Sequence, residues 1–239
     1  MLTRRFSTRA IYQQLRDIFA TRIATGEWKP GAFLPSEADL AREFGVSAGT
    51  TRKALQLLEA ERLLTRRQGH GTFVNDPASD ERALRYSNIC ASNGERIVGE
   101  VKMLNVSEAL ANEAQRERLQ LRSGDRVCQM RRVRLFNGAS FMVEEISMPS
   151  ALFPGLAERK DFCCSIASLA QEFGVLVGGA QEGLSIGAAS PDAAELLGLV
   201  SGAPILMLDR LVRTIDGTPV EWRLCQANLT DKYYASMIG

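Results

Sequence analysis

Two groups of cations in this 239-residue chain stand at spacings suited to work on anions. In RRQGHGTFV (66–74), Arg66, Arg67 and Gln68 lead into Gly69, His70 and Gly71. Glycines let a backbone approach where a Cβ would collide and arginines neutralise phosphates, so such a loop suits the grooves of duplex DNA. Upstream, Ser47, Thr50, Thr51, Arg52 and Lys53 gather short hydroxyls and cations at what reads as a helix start. There, backbone N–H groups and side chains reach phosphates and base edges together. A solvated helix face accounts for the same pattern. The second group is Arg132 and Arg134, two apart on a strand-like run, with Arg131 projecting the other way. Such a pair is either a clamp for a phosphate or carboxylate, or a solvated stripe balanced by Glu144 or Glu145.

The elements that must position the first group read clearly. Ile11, Leu15, Ile18, Phe19 and Ile23 recur at helical spacing up to Gly26. After the Pro30-Gly31 turn, Ser36 with Asp39 forms an N-terminal capping pattern for a second helix through Leu40, Ala41 and Phe44. Gly45 suits a tight interhelical turn, and Ser47 caps a third helix whose Ala54, Leu55, Leu57 and Leu58 face a core. Leu63-Leu64-Thr65 and Thr72-Phe73-Val74 read as the strands of a hairpin tipped by Gly69-His70-Gly71. The spacing predicts a winged helix-turn-helix over residues 1–75.

Charge is distributed in keeping with that reading. Residues 1–75 hold 12 Lys+Arg against 7 Asp+Glu, while the remaining 164 hold 17 against 21. A basic head on a mildly acidic body is the footprint of polyanion binding. No apolar run reaches the ~20 residues of a membrane span and no signal-peptide core is present, so a cytoplasmic location is expected. Five cysteines, at 90, 128, 163, 164 and 225, show no CxxC or zinc spacing and read as buried reduced thiols. The only histidine, His70, falls on the loop, so neither a metal nor a cofactor is expected.

Residues 76–94, rich in Asn, Asp, Ser and Ala, read as a linker, and 95–239 as a second domain. That domain contains a repeat: LQLRSGDRVCQMRRVRLFNGASFMVE (119–144) parallels LGLVSGAPILMLDRLVRTIDGTPVE (197–221). Each copy carries a helix end, a strand, an Asn-Gly or Asp-Gly turn and a second strand. Between them, 161–175 is helical and 178–189 a glycine-rich strand, while Ser190 and Pro191 open another helix. The expected class is α+β, a mixed antiparallel sheet with flanking helices.

The stretch LPSEADLAREFGVSAGTTRKALQLLEAERLLTRRQGHGTFV (34–74) resembles the DNA-binding head of the GntR family of bacterial transcription regulators. The resemblance implies a homodimer on a pseudo-palindromic operator, with Ser36, Ser47, Thr50, Thr51, Arg52, Lys53, Arg66, Arg67, Gln68, Gly69, His70 and Gly71 at the DNA. Ala38 and Ala48 stand where the family often has base-reading arginines, so readout is expected to rest on Thr50, Arg52, the wing and DNA shape.

RRVRLFNG, EEISMPSALFPGL, AAELLGL and LDRLVRTIDGTPVEW resemble the UTRA domain of the HutC branch, whose fold is similar to chorismate lyase. The resemblance implies a sensor for a small anionic effector: a phosphorylated sugar, a phosphonate or a carboxylic acid. Arg132, Arg134 and Ser165 would grip the anionic group, with Glu145, Glu182 and Glu221 as further effector-binding candidates. The expected function is a ligand-responsive repressor. The rival is an enzyme acting on a small acid, with Glu145, Glu182 or Glu221 for acid/base work; no histidine, metal cluster or nucleophile elbow in 76–239 supports it.

Overall fold

The computed structural model describes residues 9–61, 63–67, 69–75, 87–159, 166–175, 177–214 and 216–236. Two compact units divide the chain, Met1–Arg85 and Tyr86–Gly239.

In the first unit, α1 (Ile11–Ala24) buries Leu15, Phe19, Ala20 and Ile23. Ile11 and Ile18, expected on that face, are exposed. Helix α2 (Glu37–Phe44) starts where Ser36 Oγ accepts from Asp39 N at 3.1 Å, and ends at Gly45 in the left-handed region. Helix α3 (Ala48–Ala60) is capped likewise by Ser47, whose Oγ accepts from Thr50 N at 3.1 Å. Each cap satisfies an N–H group the helix leaves open, a contribution of about 1 kcal/mol. The wing is β1 (Leu64–Arg67) paired antiparallel with β2 (Gly71–Val74). Residues before α2 add a third strip, with Leu34 N donating to Thr72 O and Val74 N to Ala32 O. That strip escaped the sequence reading.

The second unit is built on a six-stranded antiparallel sheet. Its strands are β4 (Glu100–Leu110), β5 (Arg126–Phe136), β6 (Ala139–Pro149), β7 (Val177–Ala188), β8 (Pro204–Thr214) and β9 (Pro219–Ala227), in the order β4-β5-β6-β9-β8-β7. Helix α4 (Glu113–Leu119) precedes β5, α5 (Ile166–Glu172) precedes β7, and α6 (Pro191–Leu197) precedes β8. The sequence repeat is thus a repeated strand–helix–hairpin: β4-α4-β5-β6 and β7-α6-β8-β9 meet at β6 and β9. Asn137 and Gly138, with φ of 52° and 78°, make the tight turn of the first hairpin.

A small ribbon pairs β3 (Ile89–Ala91) with β10 (Lys232–Tyr234). The expected linker therefore ends earlier than residue 94, because Ile89 is buried in an apolar cluster of the second unit.

One sheet face is covered by α4 and α6, through Leu119 against Val127 and Leu211, and Ala193, Ala194 and Leu197 with Val133 and Val143. The other face carries two apolar clusters. One joins Met130, Ile146 and Met148 to Phe153, Leu156 and α5; the other joins Phe141, Met142, Leu208 and Cys225 to Ile89 and Ile97. Between these clusters lies a row of charges. Among the described residues, no helix is long and apolar enough to cross a membrane.

Candidate functional site

The exposed arc of α3 carries Ala48, Gly49, Arg52, Lys53 and Gln56. Thr51, expected at the DNA, is fully buried: it lies four and seven residues before Leu55 and Leu58 and shares their inward stripe. Thr50 hydrogen-bonds Ser47 between hydroxyls at 2.9 Å, which commits both to the cap. Arg52 Nε donates to Glu37 Oε2 at 2.8 Å, and Glu37 Oε1 lies 3.0 Å from Arg66 Nη1. One carboxylate on α2 thus ties α3 to the wing and orients two cations. Lys53 Nζ stands 4.1 Å from the Tyr12 ring centroid, and the Arg67 guanidinium lies 5.3 Å from that of Phe73. At the tip, Gly69 and Gly71 take φ of 74° and 99°, and His70 is exposed. Gln68 lies outside the described residues. Sequence reasoning missed Glu37, which the PSE stretch carries next to the cap, and Gln56, one turn beyond Arg52.

In the second unit, Arg132 and Arg134 share a sheet face, as their spacing predicts. Both converge on Glu144 Oε2, Arg132 Nε at 2.5 Å and Arg134 Nε at 3.0 Å. Arg223 Nη1 reaches Glu144 Oε1 at 2.8 Å, and its Nε and Nη2 grip Glu221 at 2.9 and 3.0 Å. All five side chains are buried, Glu144 and Glu221 to 1% exposure. Burial works to raise the Glu144 carboxyl, but Arg132, Arg134 and Arg223 around it hold it well below the usual carboxylate range. Burial likewise opposes the charge on Arg223, and Glu221 and Glu144 more than offset it. For Arg132, burial lowers the pKa and Glu144 offsets it only in part.

Three guanidinium groups face two carboxylates here, leaving one positive charge in surplus. Arg132 Nη2 is buried with no hydrogen-bond partner. An open donor in a cationic, water-poor setting is costly alone and favours an anionic oxygen.

The structure does not bring every candidate into this cluster. Glu145 is exposed and alternates to the opposite face of β6, so Glu144 takes the place expected of it. Glu182 sits on β7, four strands from Arg132 or roughly 19 Å along the sheet. It is occupied by Arg210 and by Tyr234, whose hydroxyl donates to it at 2.5 Å. Ser165 lies outside the described residues. Arg223 was missed, although its spacing of two from Glu221 on a strand puts both on one face.

Cys90, Cys128 and Cys225 are buried and unpaired, and Cys163 and Cys164 lie outside the described residues. Burial pushes the thiols of Cys128 and Cys225 up to about 11 and about 12, which keeps them protonated and unreactive. No cluster of three or more metal-ligating side chains occurs among the described residues. A cleft of about 410 Å³ lies beside Arg126, Cys128 and Ser150, at the opposite end of β5 from Arg134.

Residues 8–74 match the family model of bacterial regulatory proteins, gntR family, and residues 96–231 that of the UTRA domain. The chain is 35% identical over 147 residues to the mannosyl-D-glycerate transport/metabolism system repressor MngR of Escherichia coli, a match spanning 61% of each chain. It is 30% identical over 219 residues to the transcriptional repressor NagR of Bacillus subtilis, covering 88% of this chain and 87% of that one. Its fold is similar to the crystal structure of PhnF from Mycobacterium smegmatis, with a TM-score of 0.56 over 96% of this chain and 99% of that one at 21% identity.

Proposed function

The chain belongs to the GntR family of bacterial regulatory proteins, with a UTRA domain behind its DNA-binding head, and from that premise we propose a cytoplasmic repressor that senses a small anionic metabolite. A chain of this family is a DNA-binding transcription regulator and not an enzyme. The head, residues 1–75, docks α3 in a major groove and the wing tip in the adjacent minor groove. Two copies bind as a homodimer, because a two-fold operator calls for two heads. The body, residues 95–239, holds the effector.

The observation that carries the effector's chemistry is the buried surplus of positive charge at Arg132, Arg134 and Arg223, with Arg132 Nη2 left open. A phosphorylated sugar, a phosphonate or a carboxylic acid supplies the missing negative oxygen. MngR serves a system for mannosyl-D-glycerate, a sugar derivative with one carboxylate, which supports this class. A coupling of about 1–3 kcal/mol between effector and operator suffices for regulation.

The test is a thermal-shift screen of the full chain against phosphorylated sugars, phosphonates, small carboxylic acids and the neutral analogues of each, followed by gel shifts on the chain's own upstream DNA. An acid that raises Tm and changes operator affinity is expected. Response only to the neutral analogues of these compounds overturns the anionic assignment.

A further inference from the structure

The chain enters the second unit through residues 87–99, and these fold back on themselves. Ala91 N donates to Glu95 O and Ile97 N to Ile89 O, both at 2.8 Å, and Ser87 Oγ donates to Ile97 O. Ile89 and Ile97 pack against Phe141, Met142, Leu208 and Cys225, beside the charged row. A polar contact fastens this hairpin to the row: Arg134 Nη1 donates to Val98 O at 2.6 Å.

Arg134 is therefore divided between two acceptors. A guanidinium offers two forks for a bidentate anion, one formed by Nε and Nη2 and one by Nη1 and Nη2. Glu144 holds Nε and Val98 O holds Nη1. Any anion that takes Arg134 in bidentate fashion while Glu144 stays must use the second fork, and its oxygen at Nη1 then stands against the Val98 carbonyl on the same nitrogen, where the two negative oxygens repel. A charged oxygen prevails over the carbonyl, because its full charge adds Coulombic attraction to the guanidinium beyond the hydrogen bond itself. Gly99 makes the contact possible. Its φ is +74°, and a Cβ there would stand 2.7 Å from Leu135 O and 2.7 Å from the Phe141 ring.

We infer that the Val98 carbonyl and the effector anion compete for Arg134, so that binding of the anion releases the hairpin 87–99 from the charged row. This rests on the reading of that row as the effector seat. In sequence the hairpin follows residues 76–86, which lead from the head, so its release is a change on the chain segment that connects effector to DNA. The anion shifts the hairpin toward the released state because it has the higher affinity for that state.

Two measurements on the full chain decide the matter. In the first, amide hydrogen exchange compares wild type with Arg134→Met, with no anion added. Loss of the latch should speed exchange at the Ala91 and Ile97 amides at least tenfold, and unchanged exchange overturns the latch. In the second, calorimetry measures inorganic phosphate binding to wild type and to Gly99→Ala, whose folding is verified by near-ultraviolet circular dichroism. Displacing the competing carbonyl from Arg134 should tighten phosphate binding at least threefold, the opposite of what a damaged site would do. Weaker or equal binding by folded Gly99→Ala overturns the competition. If neither protein binds phosphate, the competition is overturned for phosphate and the anionic reading of the row is put in question, while the exchange data still decide the latch.

Discussion

Glu37 Oε2 accepts from Arg52 Nε at 2.8 Å, so an acidic side chain stands inside the surface proposed to meet polyanionic DNA. Its other oxygen lies 3.0 Å from Arg66 Nη1. Coulomb's law alone makes this residue a hindrance to DNA binding; its bonds make it a brace. Arg52 donates only its Nε to Glu37, so in the proposed complex both Nη groups face the groove.

Glu37→Ala should therefore weaken operator binding by about fivefold, matching the ~1 kcal/mol upper end for a partly exposed ion pair. Tighter binding in a fluorescence-anisotropy titration would show that charge outweighs orientation at this position.

Thr51→Val should leave operator affinity within about twofold, since the side chain lies in the core and not at the DNA. A large loss with unchanged thermal stability would return Thr51 to the interface.

Arg67→Ala removes an exposed wing cation that leans on Phe73. Affinity should fall to a similar extent for all sequences, and the slope of log affinity against log salt should drop by about 1. An unaltered slope would place Arg67 off the phosphates.

Glu144→Gln leaves three buried guanidinium groups with one carboxylate among them, and should cost about 3–5 kcal/mol at neutral pH. The pH dependence follows from the sign of the shift. The folded carboxyl titrates well below the ordinary 4.5, so its stabilisation is complete above that value and is lost only as pH falls through the folded pKa. Urea midpoints of wild type and variant should differ by a constant amount from pH 8 to about 5 and converge in stronger acid. Convergence near neutrality would mean that Glu144 carries a proton in the fold.

Much of the architecture was legible because its signals are local. Ser36 and Ser47 cap helices, Gly45 turns between them and Asn137-Gly138 closes a hairpin, each through contacts within a few residues. The inward place of Thr51 was legible too, from its spacing to Leu55 and Leu58, but its hydroxyl drew the reading outward.

The sequence by itself determined the helix caps, the wing, the doubled strand–helix–hairpin and the shared face of Arg132 and Arg134, because helix and strand periodicity fix which neighbours point together. Tertiary structure alone decided which carboxylate answers those arginines. An uninterrupted hairpin from Phe136↔Ala139 would set Val143 opposite Arg132 and turn Glu145 to its face. A bulge between Arg134 and Leu135 shifts the pairing by one residue and sets Glu144 there. Arg223 then meets Glu144 from another strand 79 positions away in sequence, joined to it by the pairing of β6 with β9. Period-two alternation within a strand is local, but register between strands depends on the whole sheet, and a single added residue exchanges its faces.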